Sequence, residues 1–494
     1  MTYGRPGVYI SERVLPAPIS SSGTANAAGA VIAAFEKGPS TVTLVSSWYD
    51  FAKKFGGYNA AFPATFGVAQ FFKNGGTELY VRRVLTSSAD PATVSLDNGD
   101  EETIGTFTAK SLGADGNNLR VKVDEAVGEG YYNVSVFVEA GDDDTLLELW
   151  QNVVFDSATS SDFVSTVLEL SEYVSFEKTL ATAVGTPVST ALPLAGGADG
   201  GTAAAADYTT AVADFSALDR PLVVFSPDAP AIYDGETVIS DEIYEALLSW
   251  AGSNNSFVVM DTAADATVGN AISYAGSITA SAYGAVYYPN VFIQDPLGRS
   301  TSSLRKVGPS GSVAGLFLAT DRNVGPFKAP AGVRTGLVGV VAPEKTLTSA
   351  ELDTLNSDIT PVNAIRTLPG AGTVVYGART LLQDGTANKY VNMRRSLNFL
   401  RKRITDLTQF AVFENNNETL WKQVRTVLGV FLNEYRNQGG LRGANPSDAF
   451  FVKCDAENNT STSIANGEVN IEVGVALEYP AEFVVITLSQ KTIS

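Results

Sequence analysis

Histidine is absent from the chain's 494 residues, which limits the chemistry open to the other side chains. Imidazole is the usual general base, the usual partner of a nucleophilic serine and the commonest transition-metal ligand. The run GPSGSVAG at 308–315 has the glycine and serine content of a nucleophile turn. It misses the G-x-S-x-G spacing and has no imidazole to activate its serines. GGADGG at 196–201 lacks the lysine of a phosphate loop. Both runs read as turns or linkers. DNGDEE at 97–102 and GDDDT at 141–145 share only composition with calcium loops, since neither has the twelve-residue ligand spacing ending in glutamate. The single cysteine, Cys454, follows FFVK and reads as a small apolar filler at a strand end. The Asn-x-Ser/Thr triplets at Asn417 and Asn458 carry no weight in a chain whose start, MTYGRPGVYISERV, lacks a secretory pattern. One catalytic class survives, a hydrolase built on two carboxylates. No catalytic residue, cofactor or metal ligand is assigned.

Charge is the stronger signal. The net charge is -19, which disfavours nucleic acid and anionic membrane as partners. Residues 90–200 hold 20 acidic and 4 basic residues, whereas 375–454 hold 12 basic and 6 acidic ones. The basic side chains gather on two helical patterns. In the first, Met393, Leu397, Leu400, Ile404 and Leu407 recur at steps of 4, 3, 4 and 3 and form one apolar stripe. Arg394, Arg395, Arg401, Lys402 and Arg403 occupy the other faces. The second is capped by Asn416 or Asn417, carries Leu420, Val424, Val427 and Phe431 on one face, adds Lys422 and Arg425, and stops at Gly439-Gly440. The cations are either a solvated helix face or a contact surface for an acidic partner.

The elements that would position these residues change character along the chain. The first twenty residues, with Pro6, Pro16 and Pro18, predict an extended arm with a short strand at Val8, Tyr9 and Ile10. An apolar strand from Ala30 to Phe35, a helix over Ser47 to Phe55 ended by Gly56-Gly57, a second helix ended by glycines and a strand from Glu78 to Val84 make an αβ unit. Alternating strands and acidic turns follow, and ALPLAGGADGGTAAAADY is the best linker candidate, with a boundary near 200. From Asp207 to about Pro343, strands at 222–226 and 257–261, helices at 241–251 and near 265–275, and a strand AVYYPNVFI predict an α/β layer with parallel pairing. VNIEVGV and EFVVITL read as strands near the C-terminus. Length alone predicts two to four domains, since single cores stop growing near ~250–300 residues, and no apolar run reaches the ~20 residues of a membrane span.

In order and spacing, VVYGARTL, KYVNMRRSLNFLRKRI, FAVFENNNETLWKQVRTVLGVFLNEYRNQGGLRGANPSDAFFVKCD and VNIEVGVALEYPAEFVVITL resemble the contractile tail sheath family. The N-terminal PGVYISE, VIAAFEKGP, FFKNGG and YVRRV, and the central GPSGSVAGLFLATDRNVGPFKAPAG, follow the same pattern. The resemblance implies an α/β multidomain, tail-sheath-like chain. Its α+β inner domain would come from both chain ends, with a β-rich insertion domain and an α/β middle domain. The expected divisions are an arm at 1–24, inner-domain segments at 25–87 and 346–494, an outward-facing acidic insertion at 88–200 and the middle domain at 201–345.

The resemblance also implies a structural protein and not an enzyme, stacked as hexameric rings around an inner tube. The implied partners are further copies, the tube protein, and baseplate and tail terminator proteins, with no nucleic acid and no membrane insertion. The implied location is a virion tail or tail-like particle assembled in a host cytoplasm. Val8, Tyr9 and Ile10, and Phe483, Val484, Val485 and Ile486, would be inter-subunit strands. Arg394, Arg395, Arg401, Lys402, Arg403, Lys422 and Arg425 would be candidate tube-facing residues. A capsid or surface-layer subunit and a carboxylate-based hydrolase are the alternatives.

Overall fold

The computed structural model describes residues 27–482, apart from short stretches at 87, 99, 101, 141–142, 157, 181–186, 188–190, 202, 232, 235–236, 239, 301 and 358. The expected arm at 1–24 and the strand Phe483 to Ile486 lie outside the described residues.

The chain begins with β1 (Ala28–Ala33), buried along its whole length. Such a strand must be covered on both faces, which explains its unbroken apolar run. β2 (Thr43–Val45), α1 (Trp48–Phe55), α2 (Ala64–Lys73) and β3 (Leu79–Arg83) follow. Ser47 caps α1 by accepting from the Asp50 N–H, and Gly56 at φ 96° ends it.

Residues 91–193 fold apart from the rest. They contain β4 (Pro91–Asp97), β5 (Thr103–Leu112), β6 (Leu119–Glu125), β7 (Tyr132–Ala140), β8 (Asp143–Val153), the single turn α3 (Val164–Val167), β9 (Val174–Lys178) and β10 (Leu192–Pro193). Two antiparallel sheets, β4-β5-β9 and β10-β6-β7-β8, close over a core that includes Phe107, Val121, Val136, Phe155 and Phe176.

The chain returns through α4 (Ala205–Ala213), β11 (Leu222–Phe225), the ribbon β12 (Tyr233–Asp234) and β13 (Thr237–Val238), α5 (Ser240–Ser253), β14 (Phe257–Asp261), α6 (Val268–Ser277) and β15 (Gly284–Tyr288). Next come β16 (Val291–Gln294), β17 (Leu304–Val307), α7 (Ser310–Asn323), β18 (Val340–Pro343), α8 (Ser349–Leu355), β19 (Asn363–Leu368) and β20 (Gly372–Val375). The central sheet has the order β2-β3-β1-β11-β14-β15-β19-β20. Its six inner strands are parallel, and β2 and β20 are antiparallel edges. Apolar clusters cover both faces, one built on α1, α2 and α7 and the other on α4, α5 and α6. The C-terminal layer contains α9 (Val391–Thr408), α10 (Glu418–Asn437), α11 (Pro446–Ala449), β21 (Phe450–Lys453), α12 (Ser461–Ala465) and β22 (Glu472–Val475). Among the described residues no helix is long and apolar enough to cross a membrane.

The mixed α/β, multi-sheet class stands, but four local expectations are corrected. The N-terminal unit is not separate from the middle segment: β1 lies between β3 and β11, so strands from 28–83, 222–288 and 363–375 share one sheet. The boundary expected at 345/346 therefore falls inside that sheet's connectivity. The supposed linker is anchored, because Ala195 and Ala198 bridge to Thr93 and Asp90 while the Asp199 carboxylate meets Arg83 at 3.4 Å. GPSGSVAG is not a turn but the opening of α7, and its glycines permit close helix packing. A Cβ on Gly311 would stand 2.1 Å from Gly67 O, and one on Gly315 2.3 Å from Phe71 O. AVYYPNVFI is two strands, β15 and β16, broken at Pro289, which has no N–H to give a ladder.

Candidate functional site

Open α/β sheets receive ligands where the strand order reverses, beyond the C-terminal strand ends. Here the reversal lies between β1 and β11, because β1 connects to β3 on one side and the later strands add on the other. The chain fills this position with its own carboxylate. Asp228 accepts the Ala34 N–H at 2.8 Å and lies 3.1 Å from Ser226 Oγ. Burial pushes its pKa up to about 6, against the opposing pull of those hydrogen bonds. One strand over, Asp261 ends β14 and accepts the Ser310 N–H at 2.7 Å and the Ser310 hydroxyl. It does the work of a helix cap for α7, whose preceding residue, Pro309, makes no side-chain cap bond. Burial pushes Asp261 up to about 7. Both carboxylates fasten loops of the sheet.

The basic residues lie at the opposite end, where α9 meets the N-terminal ends of the strands. The Asn398 amide donates to Ser256 O just ahead of β14, and Lys402 pairs at 2.8 Å with Asp219 just ahead of β11. Three of the seven predicted tube-facing residues are buried, contrary to the expectation of an outward cluster. Arg394 donates to Asn398 Oδ1 at 3.0 Å and lies 4.8 Å over the Tyr283 ring. Burial pulls its pKa down, with Tyr283 opposing and Arg401 adding to the fall. Arg395 pairs with Asp321 of α7 and lies 4.6 Å over Phe317. Burial raises the Asp321 pKa, with Arg395 opposing. Burial also pulls on Lys402, but its bonds to Asp219 and Asp406 outweigh that and raise its pKa.

Of the other four, Arg425 is half-buried and donates to Cys454 O, and the half-buried Arg403 sits 6.0 Å from the Phe431 ring. Arg401 and Lys422 are exposed. The cluster divides because the first turns of α9 are buried from Val391 to Ser396, so that stretch has no solvent face opposite its apolar stripe.

The stripe itself is in place, with Met393 and Leu400 buried and Leu397, Ile404 and Leu407 packed beside them. On α10 the buried set is Leu420, Trp421, Val424, Leu428, Leu432 and Tyr435, which leaves Val427 and Phe431 at its margin. Asn417 is the cap, accepting from the Thr419 and Leu420 N–H groups. Cys454 is buried, and burial raises its thiol pKa, as a filler role requires.

Beyond α10, β21 pairs antiparallel with β22, from Phe450↔Val475 to Lys453↔Glu472. Among the described residues neither strand pairs with a third. Glu482, the last described residue, is clamped by Arg379 at 3.0 and 2.8 Å. The sequence offered no local sign of this pair or of the partners Asp219, Asp321, Asp228 and Asp261, because each acts across a long stretch of chain.

Residues 383–491 match the family described as the phage tail sheath C-terminal domain. The tail sheath protein of Vibrio phage KVP40 is 31% identical over 165 residues, or 33% of this chain and 23% of that protein. The tail sheath protein of Enterobacteria phage T4 is 27% identical over 165 residues, or 33% of this chain and 24% of that protein. The match thus spans about a quarter of the length of these two relatives. The helical sheath of the anti-feeding prophage in its contracted state superposes with a TM-score of 0.60 at 22% identity, covering 99% of this chain and 100% of that one. The contracted sheath complex of the extracellular contractile injection system PVC gives a TM-score of 0.57 at 21% identity, covering 99% of each chain.

Proposed function

We propose that this chain, which carries a phage tail sheath C-terminal domain on the fold of contractile sheath proteins, is the repeating subunit of a contractile sheath. Copies stack as hexameric rings around an inner tube, and repacking of the copies shortens the sheath and drives the tube through a cell envelope. The work comes from contacts between molecules and not from catalysis. The end-to-end superposition on a contracted helical sheath carries this reading, because it includes the insertion as well as the C-terminal domain. If repacking buried only ~200 Å² more apolar surface per copy, it would supply roughly 5 kcal/mol each.

That β21 and β22 pair with no third strand among the described residues supports the proposal that the segments around Val8 to Ile10 and Phe483 to Ile486 pair with neighbouring copies, since an unpaired edge recruits strands. Tube contact narrows to the exposed Arg401 and Lys422, and the acidic insertion, which emerges at the other end of the sheet, faces outward. Negative-stain microscopy of the purified chain tests the reading. Hollow, striated cylinders or rings are expected; a soluble small oligomer that never polymerises refutes it. Deleting residues 1–20 and 483–494, which spares Glu482 and its pair with Arg379, should abolish ordered polymers while leaving the monomer folded.

A further inference from the structure

A cavity of about 230 Å³ opens at the C-terminal ends of β11, β14 and β15. Its polar lining comprises Asp261, Thr262 and Asn290, which are 0%, 2% and 5% exposed, together with Arg305 and Lys306 at the rim. Among the described residues Thr262 Oγ1 and Asn290 Oδ1 have no protein hydrogen-bond partner. The Asp261 carboxylate receives only neutral donors, both from Ser310, and makes no ion pair among the described residues. Acceptors that face a cavity in this way must take their donors from solvent or from a ligand.

The two cations at the rim are already engaged. Lys306 Nζ lies 2.5 Å from Asp265 and 2.6 Å from Glu344, while Arg305 holds Asp295 at 3.0 Å and stacks 4.3 Å over Phe66. The other walls, Pro63, Phe66 and Pro227, are apolar. Convergent acceptors beneath an apolar collar match a compact group with several N–H donors on an aliphatic stem. We propose that this crevice binds an alkylammonium group, its N–H donors directed to Asn290 Oδ1, Thr262 Oγ1 and the Asp261 carboxylate and its stem lying along the proline and phenylalanine walls. The group would be either a free amine or the lysine side chain of a second copy. The inference does not depend on the sheath reading.

The probe is n-butylammonium chloride added to the full chain at pH 8, with n-butanol and sodium chloride as controls and thermal unfolding followed by tryptophan fluorescence. A saturable rise in the unfolding temperature of roughly 2 °C is expected for the ammonium alone. It should be lost in Thr262→Val, a near-isosteric change, and in Asn290→Leu. It should also weaken at pH 5.5, where Asp261 is protonated. The other titratable groups near Asp261 are Tyr244 and Tyr274 from the helix side and Arg305, Lys306 and Glu344 from the strand side. No ammonium-specific rise, or an equal rise in Thr262→Val, overturns the proposal. Stabilisation of both monomer and assembled protein assigns a free amine. Stabilisation of the monomer with loosening of the assembly assigns a neighbouring lysine.

Discussion

Replacing Arg395 with leucine separates a structural role from a tube-contact role. Arg395 is 4% exposed, and its partner Asp321 has an oxygen, Oδ1, that meets no donor among the described residues, so the guanidinium is that carboxylate's main compensation. Removing one member of a buried pair typically destabilises by about 3–5 kcal/mol. The lost stacking on Phe317 adds about 0.5–2 kcal/mol. The effect should depend on pH with a definite sign. Burial already raises the Asp321 pKa above its usual value, and without Arg395 it rises further. The folded state then holds a proton that the unfolded state has released, so stability falls as pH rises through that window.

Arg395→Leu should therefore lower the urea midpoint most at pH 8 and least near pH 5. Asp321→Leu combined with Arg395→Leu should recover most of the loss, since an apolar replacement of a buried pair is often neutral. Trp421, buried in α10, reports on this layer by fluorescence. The midpoint is the quantity to compare, because a chain with several cores need not unfold in two states. An Arg395→Leu monomer as stable as the parent at pH 8, or a double variant no better than the single, would refute the reasoning.

Other substitutions probe separate parts of the molecule. Asp228 and Asp261, raised to about 6 and about 7, hold protons in the fold that they release when unfolded near pH 5, so their combined effect is to favour the fold at acid pH. Their contributions should fade by about 3 and about 4 kcal/mol as pH rises from 4 to 8, and Asp228→Asn or Asp261→Asn should flatten the profile of unfolding midpoint against pH. Gly311→Ala forces a Cβ to within 2.1 Å of Gly67 O, and separating α2 from α7 should destabilise by about 1–3 kcal/mol, read as a lower melting temperature. Arg401→Glu with Lys422→Glu should leave monomer stability within about 0.5 kcal/mol yet abolish co-sedimentation with tubes; normal tube binding by this variant removes both residues from the contact.

Local pattern carried much of the architecture. Continuous apolar runs located β1, β11 and β14, and cap-and-glycine signals bounded α1 and α10, because these features arise within a few residues of chain. Strand order was not legible in the same way. β1 joins β11 across nearly two hundred residues of separation, and no periodicity within either strand specifies the other. The cation cluster misled for a related reason. A stripe at helical spacing identifies one buried face, but Arg394, Arg395 and Lys402 are also buried and meet Tyr283, Asp321 and Asp219, which come from distant segments. GPSGSVAG misled through composition, since glycines that permit close helix approach look the same in sequence as glycines that permit a turn.

The placement of the charge pairs also bears on the proposed sheath role. The insertion leaves the sheet after β3, at the C-terminal strand ends, where Arg83 binds Leu112 O and Asp199. The helical layer joins at the other strand ends, through Arg395 to Asp321, Lys402 to Asp219 and Asn398 to Ser256 O. Between these joints run parallel strands bonded edge to edge and covered on both faces, a close-packed body of low compressibility. Charge-assisted bonds of fixed direction at the two joints resist rotation in a way that an apolar contact, being non-directional, does not. On the proposed sheath reading, such joints favour rearrangement at contacts between copies over rearrangement within one copy. The proposal places the links that persist during such a change at β21 and β22, which meet no third strand among the described residues.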